Sequence, residues 1–391
     1  MKKKIAFVVQ RYGLQVNGGS ELSCRLIAEK LSRFYDVEIL TTKALDYVTW
    51  ENYYEDEIEI VNGLTVRRFN TDFPRDNNKF IKINRQTFSK PNRNVYDEME
   101  WMKAQGPVSF ELINFLKENH NKYDKVIFFT YLYFTTFWGL LQIPEKSILV
   151  PTAHDEPYIY FSIFKPLFHL PQSIVFLTEE EKVFVHSTFH NQYINSVVAG
   201  VGIDIPQNQI NPQVFRENFN LRGDFILYVG RIDESKGCKE LFDHYLKFKE
   251  KRADCPKLVL IGKSVIDIPQ DPDIIPLGFV TDEEKFAAMQ EALVLVMPSK
   301  FESLSMVVLE SLYYKTPVLV NAQCDVLVGH CIRGNAGLYY DDFEEFEMCL
   351  EILLDNESTR RKMGENGSEY VKKNYQWESI INKFQSLIEE L

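Results

Sequence analysis

The stretch Pro298-Ser299-Lys300-Phe301-Glu302-Ser303-Leu304-Ser305-Met306-Val307-Val308-Leu309-Glu310 sets two carboxylates around an apolar run, directly after the strand-like stretch from Ala292 to Met297. At ~3.6 residues per turn, a helix starting near Ser303 puts Glu302 at its N-terminal mouth and Glu310 about two turns along, facing inward. The N–H groups at a helix start, together with its dipole, favour an anion, and a Glu just ahead can reach whatever the anion carries. The competing reading is a capped amphipathic helix, with Ser303 as N-cap and Val307, Val308 and Leu309 in a core.

A second stretch, Phe225 to Gly237, is an apolar strand ending in Gly230, followed by Arg231 and, five residues on, Lys236. These are cations for a phosphate. Together the two stretches resemble the family 4 retaining glycosyltransferases, whose C-terminal domains carry a Gly-Arg, four residues, Lys-Gly pattern and a Glu, seven residues, Glu pattern. The resemblance is strong from about Gly230 to Tyr340 and weaker before it. It departs at Ser303, where the family commonly has Gly, and at Ala322-Gln323-Cys324-Asp325, where a Gly-Gly usually follows the strand. Asn335-Ala336-Gly337-Leu338 keeps the family's closing turn.

The resemblance implies an α/β fold of the GT-B type, two doubly wound Rossmann-like domains facing across a cleft. Residues 1–204 would be the acceptor-binding domain, with a terminal helix 376–391 crossing back onto it, and residues 205–375 the nucleotide-sugar domain. It also implies retaining transfer of a sugar from a UDP- or GDP-linked donor to a glycan or lipid-linked glycan, in cell-surface or exopolysaccharide synthesis. Arg231 and Lys236 would neutralise the diphosphate, helped by the amides of Leu304, Ser305 and Met306. Glu302 would hold the sugar hydroxyls and Glu310 the ribose, while Gly230 and the Gly278-Phe279 turn contact the donor, with Phe279 able to stack on the base. Neither Glu is an evident nucleophile, so same-face attack is expected. No metal or other cofactor is expected, because cations and helix amides supply the charge.

A chain of 391 residues exceeds what one core supports. The net charge of −12 is uneven: 23 basic residues stand against 24 acidic ones in residues 1–200, and 21 against 32 thereafter. An acidic chain argues against bulk nucleic-acid binding, which phosphate neutralisation drives. Residues 67–93 run the other way, with eight basic residues, two Asp, and Phe69, Phe73, Phe80 and Phe88 between them. That composition suits a phosphate-bearing acceptor or a membrane surface, and equally a solvated irregular loop. Six cysteines without CxxC spacing read as reduced thiols. The Lys-rich start runs into Ile5–Val9, too short an apolar run for a signal peptide, and Val126 to Leu141 is too short to span a bilayer. A cytoplasmic protein, peripheral at most to the inner membrane face, is expected.

Along the chain, Lys4–Val9, a loop with Asn17-Gly18-Gly19, a periodic helix Ser20–Arg33 and Val37–Thr41 make a βαβ unit. Gly18 and Gly19 would let a ligand approach the backbone closely, although a double Gly in a turn is common. Gly106–Asn119 reads as one helix. His154 follows the strand 147–150, where open α/β sheets bind ligands. An isolated His is usually structural, but in the resembling enzymes a His beside an Asp contacts the donor sugar. Residues 205–222 read as a linker. Two other functions compete: a sugar-nucleotide epimerase of the same shape, separated by whether an acceptor is needed, and a nucleotide-sugar binding subunit without turnover.

Overall fold

The computed structural model describes residues 2–16, 18–204 and 211–389. The chain divides into two compact units, one formed by residues 1–201 and 377–391, the other by 202–376.

The first unit is built on eight strands: β1 (Lys4–Val8), β2 (Asp36–Thr42), β3 (Ile58–Val61), β4 (Leu64–Phe69), β5 (Lys125–Phe129), β6 (Ser147–Val150), β7 (Ser173–Phe176) and β8 (Asn195–Val198). Their order is β3-β4-β2-β1-β5-β6-β7-β8, and every pairing is parallel except β3 with β4. That hairpin turns on Asn62 (φ 49) and Gly63 (φ 82), the two left-handed positions a tight hairpin needs. β5, β6 and β7 are buried along their whole length, as strands covered on both faces must be. The terminal helix Trp377–Glu389 buries Ile380, Ile381, Phe384, Leu387 and Ile388 in this unit. Lys3 Nζ to Glu389 at 2.7 Å fixes its C-terminal end, and Lys383 Nζ to the Val198 carbonyl at 2.8 Å its middle.

The second unit has β9 (Phe225–Val229), β10 (Lys257–Ile261), β11 (Ile274–Gly278), β12 (Leu295–Met297), β13 (Val318–Asn321) and β14 (Gly337–Tyr340), all parallel, in the order β11-β10-β9-β12-β13-β14. This is the doubly wound order, whose direction reverses between β9 and β12. Both units are Rossmann-like parallel sheets with helices on their faces, the GT-B type of fold.

Four local readings are corrected. Gly106 does not open a helix. It ends one, Val95–Gln105, whose Asn94–Asp97 capping box starts it, and a new helix begins at Phe110 with Ser109 as cap. The basic segment is not an irregular loop, because it holds the end of β4 and a helix Asn77–Ser89 capped by Asp76, whose side chain accepts from the Lys79 N–H at 3.0 Å. Part of the supposed linker is helical, Pro212–Asn218, with Asn211 as cap, while its residues 205–210 lie outside the described residues. Lastly, the central helix runs from Met306 to Tyr313, not from Ser303.

Candidate functional site

In the second unit the site is assembled by the loops that leave β9 and β12, the two strands at the reversal of strand order. After β9, Gly230 turns with φ 149, and Asp233 organises the next residues. Its carboxylate accepts from the Lys236 N–H at 2.9 Å and the Ser235 hydroxyl at 2.6 Å, and pairs with the Arg231 guanidinium. Burial pushes this carboxyl up, but Ser235, Arg231 and the Lys236 amide outweigh it and hold it below the usual range. Gly237, at φ 74, lies so close to the Pro298 carbonyl that a Cβ there would collide with it. That glycine brings the two loops together.

The contact that results is between predicted partners: Lys236 Nζ sits 2.7 Å from Glu302 Oε1. Two anchors steady the β12 loop. Glu240, in the first turn of the helix Cys238–Lys251, accepts from Asn321 Nδ2 at 3.0 Å and pairs with Lys300 at 3.2 Å. His330, fully buried, has its Nε2 2.8 Å from the Leu304 carbonyl and its Nδ1 3.1 Å from the Tyr370 hydroxyl. Residue patterns gave no sign of these anchors, since each lies far from the motif in sequence. The Cys324 thiol, pushed up to about 11 chiefly by burial, lies against the Glu302 backbone.

Ser305 precedes the helix in the left-handed region (φ 61, ψ 75), with no side-chain cap bond. The helix therefore starts two residues later than a Ser303 cap would place it, and Glu310 stands about one turn inside it. Glu310 is buried and meets Lys285 of the helix Asp282–Glu291, with Nζ 3.1 Å from Oε1 and 3.0 Å from Oε2. The Oε2 contact lies off the hydrogen-bond direction, so this buried oxygen makes no hydrogen bond. Burial raises the Glu310 carboxyl against the pull of Lys285. Gly278 ends β11 at φ 69 and Phe279 beside it is 67% exposed. Asp271-Pro272-Asp273, a triplet with metal-motif spacing, is committed elsewhere: both carboxylates lie 2.6 Å from Lys249 Nζ.

The remaining predicted residues belong to the first unit. His154 follows β6, and its Nδ1 is 3.9 Å from Glu156 Oε1, which accepts the Tyr131 hydroxyl at 2.6 Å. Thr130 and Thr152, after the neighbouring strands β5 and β6, both take left-handed φ values, 64 and 49, and their hydroxyls meet at 3.2 Å. Non-glycine residues hold such angles only where the surroundings enforce them. Here Glu181 does part of that, accepting the Ala153 and Leu177 N–H groups, each at 2.6 Å. Gly18 makes room for the Glu21 carboxylate, which a Cβ would strike and which pairs with Arg11 Nε at 3.0 Å. Gly19 has nothing within 4 Å of its Cβ position, so only Gly19 is the open one. Asn17 is not among the described residues.

Residues 209–370 match the family described as Glycosyl transferases group 1. The matched residues lie within the second unit. Among curated relatives, the capsular polysaccharide biosynthesis glycosyltransferase CapM of Staphylococcus aureus is 24% identical over 208 residues, 48% of this chain and 54% of that protein. The D-inositol 3-phosphate glycosyltransferase of Pseudarthrobacter chlorophenolicus is 31% identical over 153 residues, 36% of each. The match thus spans about half or less of these relatives' length. Among solved structures, HepE of Anabaena in complex with UDP and glucose has a TM-score of 0.73 at 12% identity over the whole of both chains. The sucrose-phosphate synthase of Thermosynechococcus elongatus has 0.70 at 17%, over 100% and 99%. At such identity these likenesses concern the fold alone.

Among the described residues no helix is long and apolar enough to cross a membrane, and no three His, Cys, Asp or Glu side chains group as metal ligands. All six cysteines are free.

Proposed function

We propose that the chain is a retaining glycosyltransferase, moving a sugar from a nucleotide-diphosphate sugar to a glycan or lipid-linked glycan in the synthesis of a cell-surface or secreted polysaccharide. The observation that carries the reading is the Lys236–Glu302 pair at 2.7 Å, which unites both halves of the motif at the reversal of strand order in a group 1 glycosyltransferase domain.

Each proposed ligand-binding cation is paired with a carboxylate: Arg231 with Asp233, Lys236 with Glu302. The diphosphate competes for Arg231 and Lys236, and a cation drawn toward it leaves Glu302 to accept sugar hydroxyls. Loss of the leaving group breaks the anomeric C–O bond, its electron pair passing to the β-phosphate oxygen. The acceptor oxygen then bonds to the anomeric carbon on the same face and gives its proton to the departing phosphate. Preorganised cations and amides stabilise the charge that develops, so no metal is needed for departure. Glu310 Oε2, buried without a hydrogen bond, suits a ribose hydroxyl, and exposed Phe279 a base.

The test is turnover. Arg231→Ala or Lys236→Ala should lower it by roughly a hundredfold, the common cost of one preorganised donor, with activity persisting in EDTA and the product keeping the donor's anomeric configuration by NMR. Near-normal turnover in both variants would remove the assignment. Conversion of the donor without any acceptor would favour an epimerase.

A further inference from the structure

The first unit holds a cavity of about 370 Å³ that the donor chemistry does not use. That size falls in the range of small-ligand sites. Its walls include Trp50, Phe73 and Phe80, and its charged groups are Arg75, Lys79 and Lys103 with Asp76 and Glu100. We propose that this cavity binds a phosphate-bearing acceptor, with Arg75, Lys79 and Lys103 meeting the phosphate and Trp50, Phe73 and Phe80 covering the body that carries it. The word acceptor rests on the glycosyl-transfer reading, whereas the phosphate site stands on the cavity itself.

Arg75 is the central observation. Its guanidinium lies 4.9 Å from the ring centres of both Trp50 and Phe80, and its Nη2 donates to the Tyr47 carbonyl at 3.0 Å. Its Nε is buried with no partner. A buried donor left unpaired costs ~1–3 kcal/mol, and native chains rarely tolerate one without a reason. Burial pulls this guanidinium down to about 10, which leaves it charged at neutral pH. A guanidinium 4.9 Å from two aromatic ring centres, with a donor to spare, is well built for a phosphate oxygen.

The surroundings agree. Of the two acids, Asp76 is already engaged in capping the helix Asn77–Ser89 through the Lys79 N–H, so the cations outweigh the free negative charge. Phe73 is 48% exposed, an apolar surface available to a ligand. Trp50 sits at a left-handed φ of 57 although its side chain is buried, and its Nε1 donates to the Gln105 carbonyl at 2.7 Å. Its ring also lies 5.9 Å from the Arg11 guanidinium, the partner of Glu21 beneath Gly18. The cavity is thereby tied to the glycine loop of the same unit. Lys82 and Arg85, on the same basic segment, do not line it, so a built pocket and a diffuse basic patch predict different variants.

The experiment is calorimetric titration of the full chain with inorganic phosphate, without nucleotide, and co-sedimentation with phosphatidylcholine vesicles with and without a long-chain alkyl phosphate. Arg75→Gln and Lys103→Ser should each weaken phosphate binding about tenfold, as loss of a charge-assisted hydrogen bond does. Lys82→Ser with Arg85→Ser should leave it within about twofold, because neither side chain lines the cavity. Lys103 is exposed, so that variant reports on binding even if Arg75→Gln disturbs folding. Alkyl-phosphate vesicles retained by the wild type but released by Phe73→Ala identify a lipid phosphate. Phosphate binding without vesicle binding identifies a soluble phosphate ester. Phosphate binding unaltered by Arg75→Gln and Lys103→Ser, or lost equally with Lys82 and Arg85, overturns the proposal.

Discussion

Glu302 and Glu310 share a motif and a charge but not a neighbourhood. Glu302 is partly exposed and salt-bridged to Lys236, so Glu302→Gln releases that cation for the diphosphate while removing an acceptor for hydroxyls on a sugar that gains positive charge. Turnover should fall on the order of tenfold or more, with binding of the free nucleotide unchanged or tighter, because only interactions that strengthen in the transition state govern turnover. Glu310 is buried against Lys285, which also pairs with Asp282 at 3.1 Å, so Glu310→Gln should weaken nucleotide binding and also cost ~1–3 kcal/mol of stability through the loss of one of the ammonium's two carboxylate partners. Steady-state kinetics, nucleotide titration and denaturant melts on both variants check this. Equal loss of nucleotide affinity with intact turnover would refute the division of roles. Glu181 supplies a pH test. Burial raises its carboxyl from 4.5 to about 8 despite three backbone N–H groups, so the folded chain holds a proton that the unfolded chain releases. Its contribution to stability is full below about pH 4.5 and is lost as pH rises through 8. Denaturant titrations from pH 5 to pH 9 should show wild type losing stability relative to Glu181→Gln. Parallel curves would show that Glu181 is ionised throughout.

At the scale of elements, the site depends on a loop held in an unfavourable conformation. Ser305 is left-handed without being glycine, and the carbonyl just before it is fixed by His330 from the helix Asp325–Gly334. His330→Leu should leave the Leu304 carbonyl and the Tyr370 hydroxyl without this partner, at a cost of ~1–3 kcal/mol. Because His330 touches neither proposed ligand, a positioning role predicts that turnover falls more than nucleotide affinity. His330→Gln, which keeps a donor for the carbonyl, should recover part of the turnover. If Leu and Gln variants have equal kcat, His330 serves packing alone.

At the scale of the whole molecule, the chain passes through the second unit and returns its last helix to the first. Five buried apolar side chains on Trp377–Glu389, at ~1.5–3 kcal/mol each, match or exceed the whole margin of a typical domain. Deleting residues 377–391 should therefore unfold the first unit while the second keeps a cooperative melt. A calorimetric trace with both transitions intact would contradict this. The alternation of strands and helices was legible because parallel strands are apolar throughout and their helices periodic, as at Phe225–Val229 and Gly19–Leu31. The start of the central helix was not, because Ser303 offered a cap and the backbone instead turned at Ser305. Asn77–Ser89 was obscured by its polarity, and Arg75, just before its cap, meets Trp50 across 25 positions. His330 and Glu240 were invisible for the same reason: what they hold is distant in sequence. The central claim is that the β9 and β12 loops together bind a nucleotide sugar, and thermal unfolding of the full chain against a panel of UDP- and GDP-sugars tests it most directly. A ligand bound only by the folded chain raises the melting temperature with concentration. At least one nucleotide sugar should do so in wild type and do so far less in Lys236→Ala; no stabilisation by any donor, or equal stabilisation of both proteins, would contradict the account.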